Sequence, residues 1–229
     1  MKLSYINAIA ELCERLGADI NDVIEGMGYD RRIGHAFLSP GPGWGGSCLP
    51  KDVHALLHAS DGADFEFRLL RATIDTNTRQ FQRITGKIRA AVTGSRQGSL
   101  RNVRIGLLGL AFKAGTADLR DSPALAIAAL LRQSGAELVG YDPAVNATTE
   151  HPTLDGINVV DDPIVAAKDA DAIVVLTEWP EFKSLDWPQL AGVLRRQIVI
   201  DTRNLLDPDV LVRAGFSYHG LGTKPRSPA

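Results

Sequence analysis

The sequence has 229 residues, with 25 basic and 27 acidic side chains and a formal net charge of −2. That near balance gives no electrostatic reason to expect nucleic acid or an anionic membrane as a partner. Two cysteines, Cys13 and Cys48, are too few for a disulfide framework and have no metal-like spacing; no apolar run reaches the length of a membrane span and no secretion signal opens the chain, so a reducing, cytoplasmic setting is expected.

Apolar residues recur at three- and four-residue steps through Ile6, Ile9, Cys13 and Leu16, and Gly17 ends the helix they predict. Cys13 lies on its apolar face and reads as core. No capping side chain precedes this helix, and its pattern is already running at Leu3, so further sequence upstream is expected. A short helix follows from about Asn21 to Met27, then a glycine- and proline-dense loop from Pro40 to Pro50. Lys51 to Ala59 predicts a helix with Val53, Leu56 and Leu57 on one side. Phe67 to Val92 predicts a longer one, with room for a break. Residues 94–102 carry little periodicity and read as a linker between a helical segment, 1–93, and a second domain, 103–229.

From Val103 strands and helices alternate. Strands are expected at Val103–Leu108, Glu137–Tyr141, Val159–Val160, Ala172–Leu176, Gln197–Asp201 and Phe216–Gly220. Helices are expected at Pro123–Gln133, Ile164–Ala170 and Val210–Ala214. Continuous apolar strands separated by helices mean a parallel sheet covered on both faces, so the fold class is α/β: a helical segment followed by a doubly wound, Rossmann-like domain. Ligands of such sheets bind beyond the carboxyl ends of the strands.

The stretch richest in chemistry runs from Pro40 through Gly41, Pro42, Gly43, Trp44, Gly45, Gly46, Ser47, Cys48, Leu49, Pro50 and Lys51 to Asp52. Its glycines permit close backbone approach to a ligand and positive φ. Pro50 suits the first turn of a helix, which places Cys48 near the N-cap, where the helix dipole and Lys51 favour a thiolate. Asp52 lies one turn further on, towards the same side. A thiolate beside such a loop suits covalent chemistry at a carbonyl, against the plainer reading of a small buried cysteine. The five histidines are scattered and are assigned neither a catalytic nor a metal role.

Gly45 to Asp52 resembles the active-site signature of the UDP-glucose/GDP-mannose dehydrogenase family. The resemblance extends to Asp30–Gly34, to Gly109–Lys113 and to Asp118–Pro123, and covers nearly the whole chain. It implies oxidation of the C6 alcohol of a nucleotide sugar to a carboxylate with two NAD⁺, through a thiohemiacetal and a thioester on Cys48. Asp52 would orient water for the hydrolysis. Leu49, Pro50, Lys51 and the Cys48 backbone would line the nicotinamide side, with Arg120 touching NAD. Ser39, Pro40, Gly41, Pro42, Gly43, Trp44 and Gly45 would wrap the sugar nucleotide. Phe112, Lys113 and Arg203 would contact it, and Arg32 would reach the site of a homodimer partner. Trp44 and the Pro40–Gly43 lead-in look more like the UDP-glucose branch, so UDP-glucose is the expected substrate, with GDP-mannose and UDP-N-acetylmannosamine the alternatives.

The family's GxGxxG domain and its catalytic lysine and asparagine do not appear in the sequence, so the chain is expected to need a missing half for turnover. Two other classes of function are open. One is a non-catalytic dimerisation and nucleotide-sugar-binding module. The other is a cysteine acyltransferase or hydrolase, which would need a histidine partner for the thiol.

Overall fold

The computed structural model describes residues 1–228. α1 (Lys2–Leu16) buries Ser4, Ile6, Asn7, Ala10 and Cys13, and Gly17 ends it in the left-handed region at φ 73°. α2 (Ile20–Gly28) is capped by Asp19, whose carboxylate accepts the Asn21 N–H at 2.8 Å. α3 (Leu49–Gly62) follows the glycine loop, with Pro50 in its first turn. α4 (Arg68–Thr93) runs 26 residues without a break. Its threonines do not interrupt it, because Thr73, Thr76, Thr78 and Thr85 turn their hydroxyls back on carbonyls four residues earlier. The apolar side expected for α3 is not packed away: Leu56 is 51% exposed, and Ser60 is the buried residue of this helix.

The second half is a six-stranded, wholly parallel sheet in the order β3-β2-β1-β4-β5-β6. Its strands are β1 (Arg104–Leu108), β2 (Glu137–Tyr141), β3 (Ile157–Val159), β4 (Ala172–Val175), β5 (Ile198–Asp201) and β6 (Ser217–His219). The connecting helices are α5 (Pro123–Gln133), α6 (Pro163–Ala167), α7 (Trp187–Val193) and α8 (Pro208–Arg213). The strand order reverses between β1 and β4, which makes their carboxyl ends the topological switch point. α7 falls in a stretch left unassigned from sequence. It starts with Asp186 accepting the Gln189 N–H at 2.9 Å and has Pro188 in its first turn, a start signal present in the residues.

Alternation along the strands sorts two cores. Ile105, Leu107, Val174 and Ile200 point to one face, with Leu125, Ile127 and Leu131 of α5. Leu108, Ile173, Val175 and Val199 point to the other, with Trp187, Leu190, Leu211 and Phe216. Ile84, Ile88 and Val92 from the last turns of α4 join the first core, so the long helix is packed into both halves of the chain. The connecting segment is itself fastened. Leu100 is fully buried, and the Arg89 guanidinium donates to the Gly98 and Gln97 carbonyls, both at 2.8 Å. Among the described residues no helix is long and apolar enough to cross a membrane.

Candidate active site

The glycines of the loop before α3 close on protein. A Cβ on Gly45 would stand 1.9 Å from the Asp121 carbonyl oxygen and 2.9 Å from Pro123. One on Gly46 would meet the Phe112 ring at 2.7 Å, and one on Gly43, at φ 134°, the Phe81 ring at 2.5 Å. The expected close approach is thus made first to the turns of the sheet domain and to α4. Gly45→Ala should cost about 3 kcal/mol, because a backbone oxygen cannot swing aside as a side chain can. Gly41→Ala, which meets the Arg203 guanidinium at 3.2 Å, should cost less. Urea denaturation of the two variants checks this ordering.

Trp44 is buried and donates its indole N–H to Ser4 Oγ at 2.8 Å, while Asn77 takes both its backbone groups, at 2.9 Å each. Pro40, Gly41 and Pro42 are buried as well, and Ser39 is exposed. The lead-in to Cys48 is therefore held as a fixed frame between α1, α4 and the sheet domain.

Cys48 sits at the N-cap of α3, exposed, its Sγ 3.7 Å from Ser47 Oγ. Its carbonyl accepts the Asp52 N–H at 2.9 Å, so Asp52 follows one turn on. No side chain caps this helix, and the N–H groups of Cys48, Leu49 and Lys51 have no acceptor among the described residues. The Lys51 ammonium, expected to serve the thiol, pairs with Asp52 at 3.0 Å, and both side chains are exposed. Its pKa is raised by the hydrogen bond and charge of Asp52 first, with a smaller contribution from Cys48. Arg120 also lies within electrostatic reach of Cys48. Its guanidinium forks onto Asp118, with Nε to Oδ1 at 2.9 Å and Nη2 to Oδ2 at 2.7 Å, which holds the Asp118 carboxyl at about 2. Among the described residues no histidine bonds the thiol, and His54, in α3, bonds the Pro50 carbonyl at 2.7 Å.

The carboxyl ends of β1, β4 and β5 bring Phe112, Lys113 and Arg203 to the switch point. Asp142, at the end of β2, fixes the turn after β1 by accepting the Leu110 and Ala111 N–H groups at 2.7 and 3.0 Å, and the Trp179 indole at 3.1 Å. Thr177 donates to the Ala111 carbonyl and Ser122 to that of Leu110, both at 2.7 Å. Lys113 leaves this turn exposed, its ammonium 5.3 Å from the centre of the Phe112 ring. Arg203 donates Nε to the Leu176 carbonyl at 2.9 Å, lies 3.1 Å from Glu178 and backs onto Gly41. Burial lowers its pKa, with Glu178 and Asp201 opposing. The Nη groups have no hydrogen-bond acceptor among the described residues. Arg32 is not brought to this cluster. It forks onto Asp30 and lines a groove of about 600 Å³ with Tyr5, Ile33 and Leu69.

Sequence reasoning missed the polar network that holds the loop. Gly41 donates to Asn7 Oδ1 at 2.8 Å and accepts from Gln80 Nε2 at 2.7 Å. Gln80 accepts from Arg83 at 3.3 Å, Arg83 pairs with Glu14 at 2.9 Å, and Glu14 accepts from Lys87 at 2.7 Å and from the Gly222 N–H at 2.9 Å. The available signal was polar residues at helical spacing among core positions: Asn7 beside Ile6 and Ala10, and Asn77 and Gln80 in line with Ile84.

Residues 1–79 match the pattern described as the central domain of the UDP-glucose/GDP-mannose dehydrogenase family, and residues 106–208 match that family's UDP binding domain. A UDP-glucose 6-dehydrogenase from Rhizobium meliloti (strain 1021) is 40% identical over 222 residues, covering 97% of this chain and 50% of that protein. The structure of a UDP-glucose dehydrogenase from Pyrobaculum islandicum superposes with a TM-score of 0.81 at 30% identity, over 97% of this chain and 48% of that one. A UDP-D-ManNAc dehydrogenase from Pyrococcus horikoshii gives a TM-score of 0.77 at 31% identity, over 96% and 48%. The chain spans about half the length of the curated relatives it matches.

Proposed function

The chain belongs to the UDP-glucose/GDP-mannose dehydrogenase family, and we propose that it supplies the nucleophile and the nucleotide-sugar-binding half of an NAD-dependent UDP-glucose 6-dehydrogenase. The observation that carries this reading is the placement of Cys48. It stands exposed at an uncapped helix N-terminus, on a loop locked against the turns that present Phe112, Lys113 and Arg203.

The residues fit a UDP-sugar at the switch point. Lys113 and the free edge of Arg203 offer cationic donors to a pyrophosphate, and the Phe112 ring offers an apolar face. They fit NAD along one wall. The free N–H groups of Cys48, Leu49 and Lys51 and the Arg120 guanidinium would hold its nicotinamide end, whereas the turn after β1 runs on to Pro123 before a helix begins and offers no dinucleotide cradle. When bound, two NAD⁺ accept the two hydrides of the four-electron oxidation.

The first oxidation turns the C6 alcohol into an aldehyde. Cys48 Sγ, as thiolate, forms a bond to that carbon while the carbonyl oxygen takes up a proton, giving a thiohemiacetal. The free N–H groups at the start of α3 are placed to stabilise the oxygen as charge builds on it. Loss of the second hydride, together with the hydroxyl proton, leaves a thioester. Water, oriented by Asp52, breaks the C–S bond, releasing the carboxylate and restoring the thiol. A homodimer completes the reading, with Arg32 on the rim of the apolar α1–α4 groove facing a second copy.

Calorimetry with UDP tests the nucleotide half. Lys113→Ala should weaken binding roughly tenfold, about 1.4 kcal/mol, without changing stability, because the ammonium contacts only the Phe112 ring. Equal affinity in the variant would remove Lys113 from the site.

A further inference from the structure

A cavity of about 320 Å³ lies where the end of α1, the last turns of α4 and the tail after β6 meet. Lys87, Arg96, Lys224 and His219 line it, with Glu14 and Cys13. It shares no lining residue with the Cys48 loop or with the switch point. The neighbourhood holds four cations, Arg83, Lys87, Arg96 and Lys224, against three carboxylates, those of Glu14 and Asp19 and, 3.8 Å from Arg83, that of Glu11.

Glu14 is already shared, between Arg83 at 2.9 Å and Lys87 at 2.7 Å. Arg96 and Lys224 have no acidic partner among the described residues. Lys87 gives one ammonium N–H to Glu14, and its other two have no acceptor among the described residues. Burial pulls the Lys87 ammonium below the ordinary lysine value; Glu14 opposes this, and Arg83 and Arg96 add to it. Burial lowers His219 too, and Lys87 lowers it further. Like charges gathered around a hollow, with donors unspent, are stabilised by an anion that enters it.

We infer that this seam cavity binds a small oxyanion of the phosphate class, held by Lys87 from the floor and by Arg96 and Lys224 from the rim. The volume admits a tetrahedral oxyanion with several of its waters. Ammonium and guanidinium groups are donors without acceptors, which suits the acceptor-only oxygens of such an anion.

The test is calorimetric titration of the chain with inorganic phosphate, at an ionic strength held constant with sodium chloride, alongside NMR of the His219 ring. Saturable binding of one phosphate at this site and a shift of the His219 resonances are expected. Arg96→Gln with Lys224→Gln should weaken binding at least tenfold and remove the shift, and Lys224→Glu alone should abolish both. Arg101→Gln, which removes an exposed charge that does not line the cavity, should change neither. The mutated side chains are exposed, so an unchanged melting temperature is the check on folding. Absence of saturable binding, an unmoved His219 ring, or equal affinity in the double variant would overturn the inference.

Discussion

Cys48→Ser should lower uronate release by about a thousandfold or more when the chain is assayed with NAD⁺ and UDP-glucose, joined to a dinucleotide-binding domain of the family. A thousandfold corresponds to about 4 kcal/mol of transition-state stabilisation. A serine hydroxyl ionises far less readily than a thiol and has no imidazole beside it here: Ser47 is the neighbour of Cys48, His54 is bonded to the Pro50 carbonyl, and the Asp52 carboxylate is paired with Lys51. UDP affinity should be unchanged, because the switch-point residues are fastened by Asp142, Thr177 and Asp201 and not by the thiol. A variant that keeps near-normal uronate release, measured by product analysis, would remove Cys48 from the chemistry. The same loss in Cys13→Ser would point to folding instead, since Cys13 is buried on α1.

The second large effect concerns stability. Glu14→Ala should destabilise the chain by about 3–5 kcal/mol, since it leaves the Lys87 ammonium buried without its carboxylate and the Arg83 guanidinium with only the more distant Glu11, at 3.8 Å. For a chain of this size that is a fall in melting temperature of roughly 10 °C, readable by calorimetry. The variant also loses the acceptor of the Gly222 N–H, which ties the tail after β6 to α1. The pH dependence has a definite sign. Burial opposes the Glu14 charge, but Arg83 and Lys87 outweigh it, and the carboxyl is held below its ordinary value of 4.5. A group with a depressed folded pKa contributes stability above its unfolded pKa and loses it as pH falls through the folded one. Wild type should therefore lose part of its margin below about pH 4.5, and Glu14→Ala should lack that component.

The sheet domain was legible in the residues because its strands are continuous apolar runs bounded by turn residues. Glu137–Tyr141 and Pro123–Gln133 were expected with the bounds the structure has. α7 was missed because its seven residues sit between two short irregular segments, and only the Asp186–Pro188 start marks it. α3 shows the limit of periodicity. Its apolar spacing correctly indicates a helix but says nothing about what covers that side, and Leu56 stays exposed.

For the site, the glycine spacing showed that close approach was needed but not to what. That depends on Asp121, Phe112 and Phe81, which the fold brings in from far along the chain. Lys51 was read as a partner for the thiol because it is near in sequence, yet Asp52 is nearer and of opposite charge. The network from Asn7 to Lys87 needed α1 and α4 side by side, a relation that no single helix pattern contains.

The most direct test of the covalent role of Cys48 is mass spectrometry of the Cys48 peptide after acid quenching during turnover with UDP-glucose and NAD⁺. A sugar-derived thioester adduct on Cys48, absent from Cys13 and lost in Cys48→Ser, is the expected result. Steady uronate formation with the Cys48 peptide unmodified at every quench time, under conditions that preserve a thioester, would contradict it.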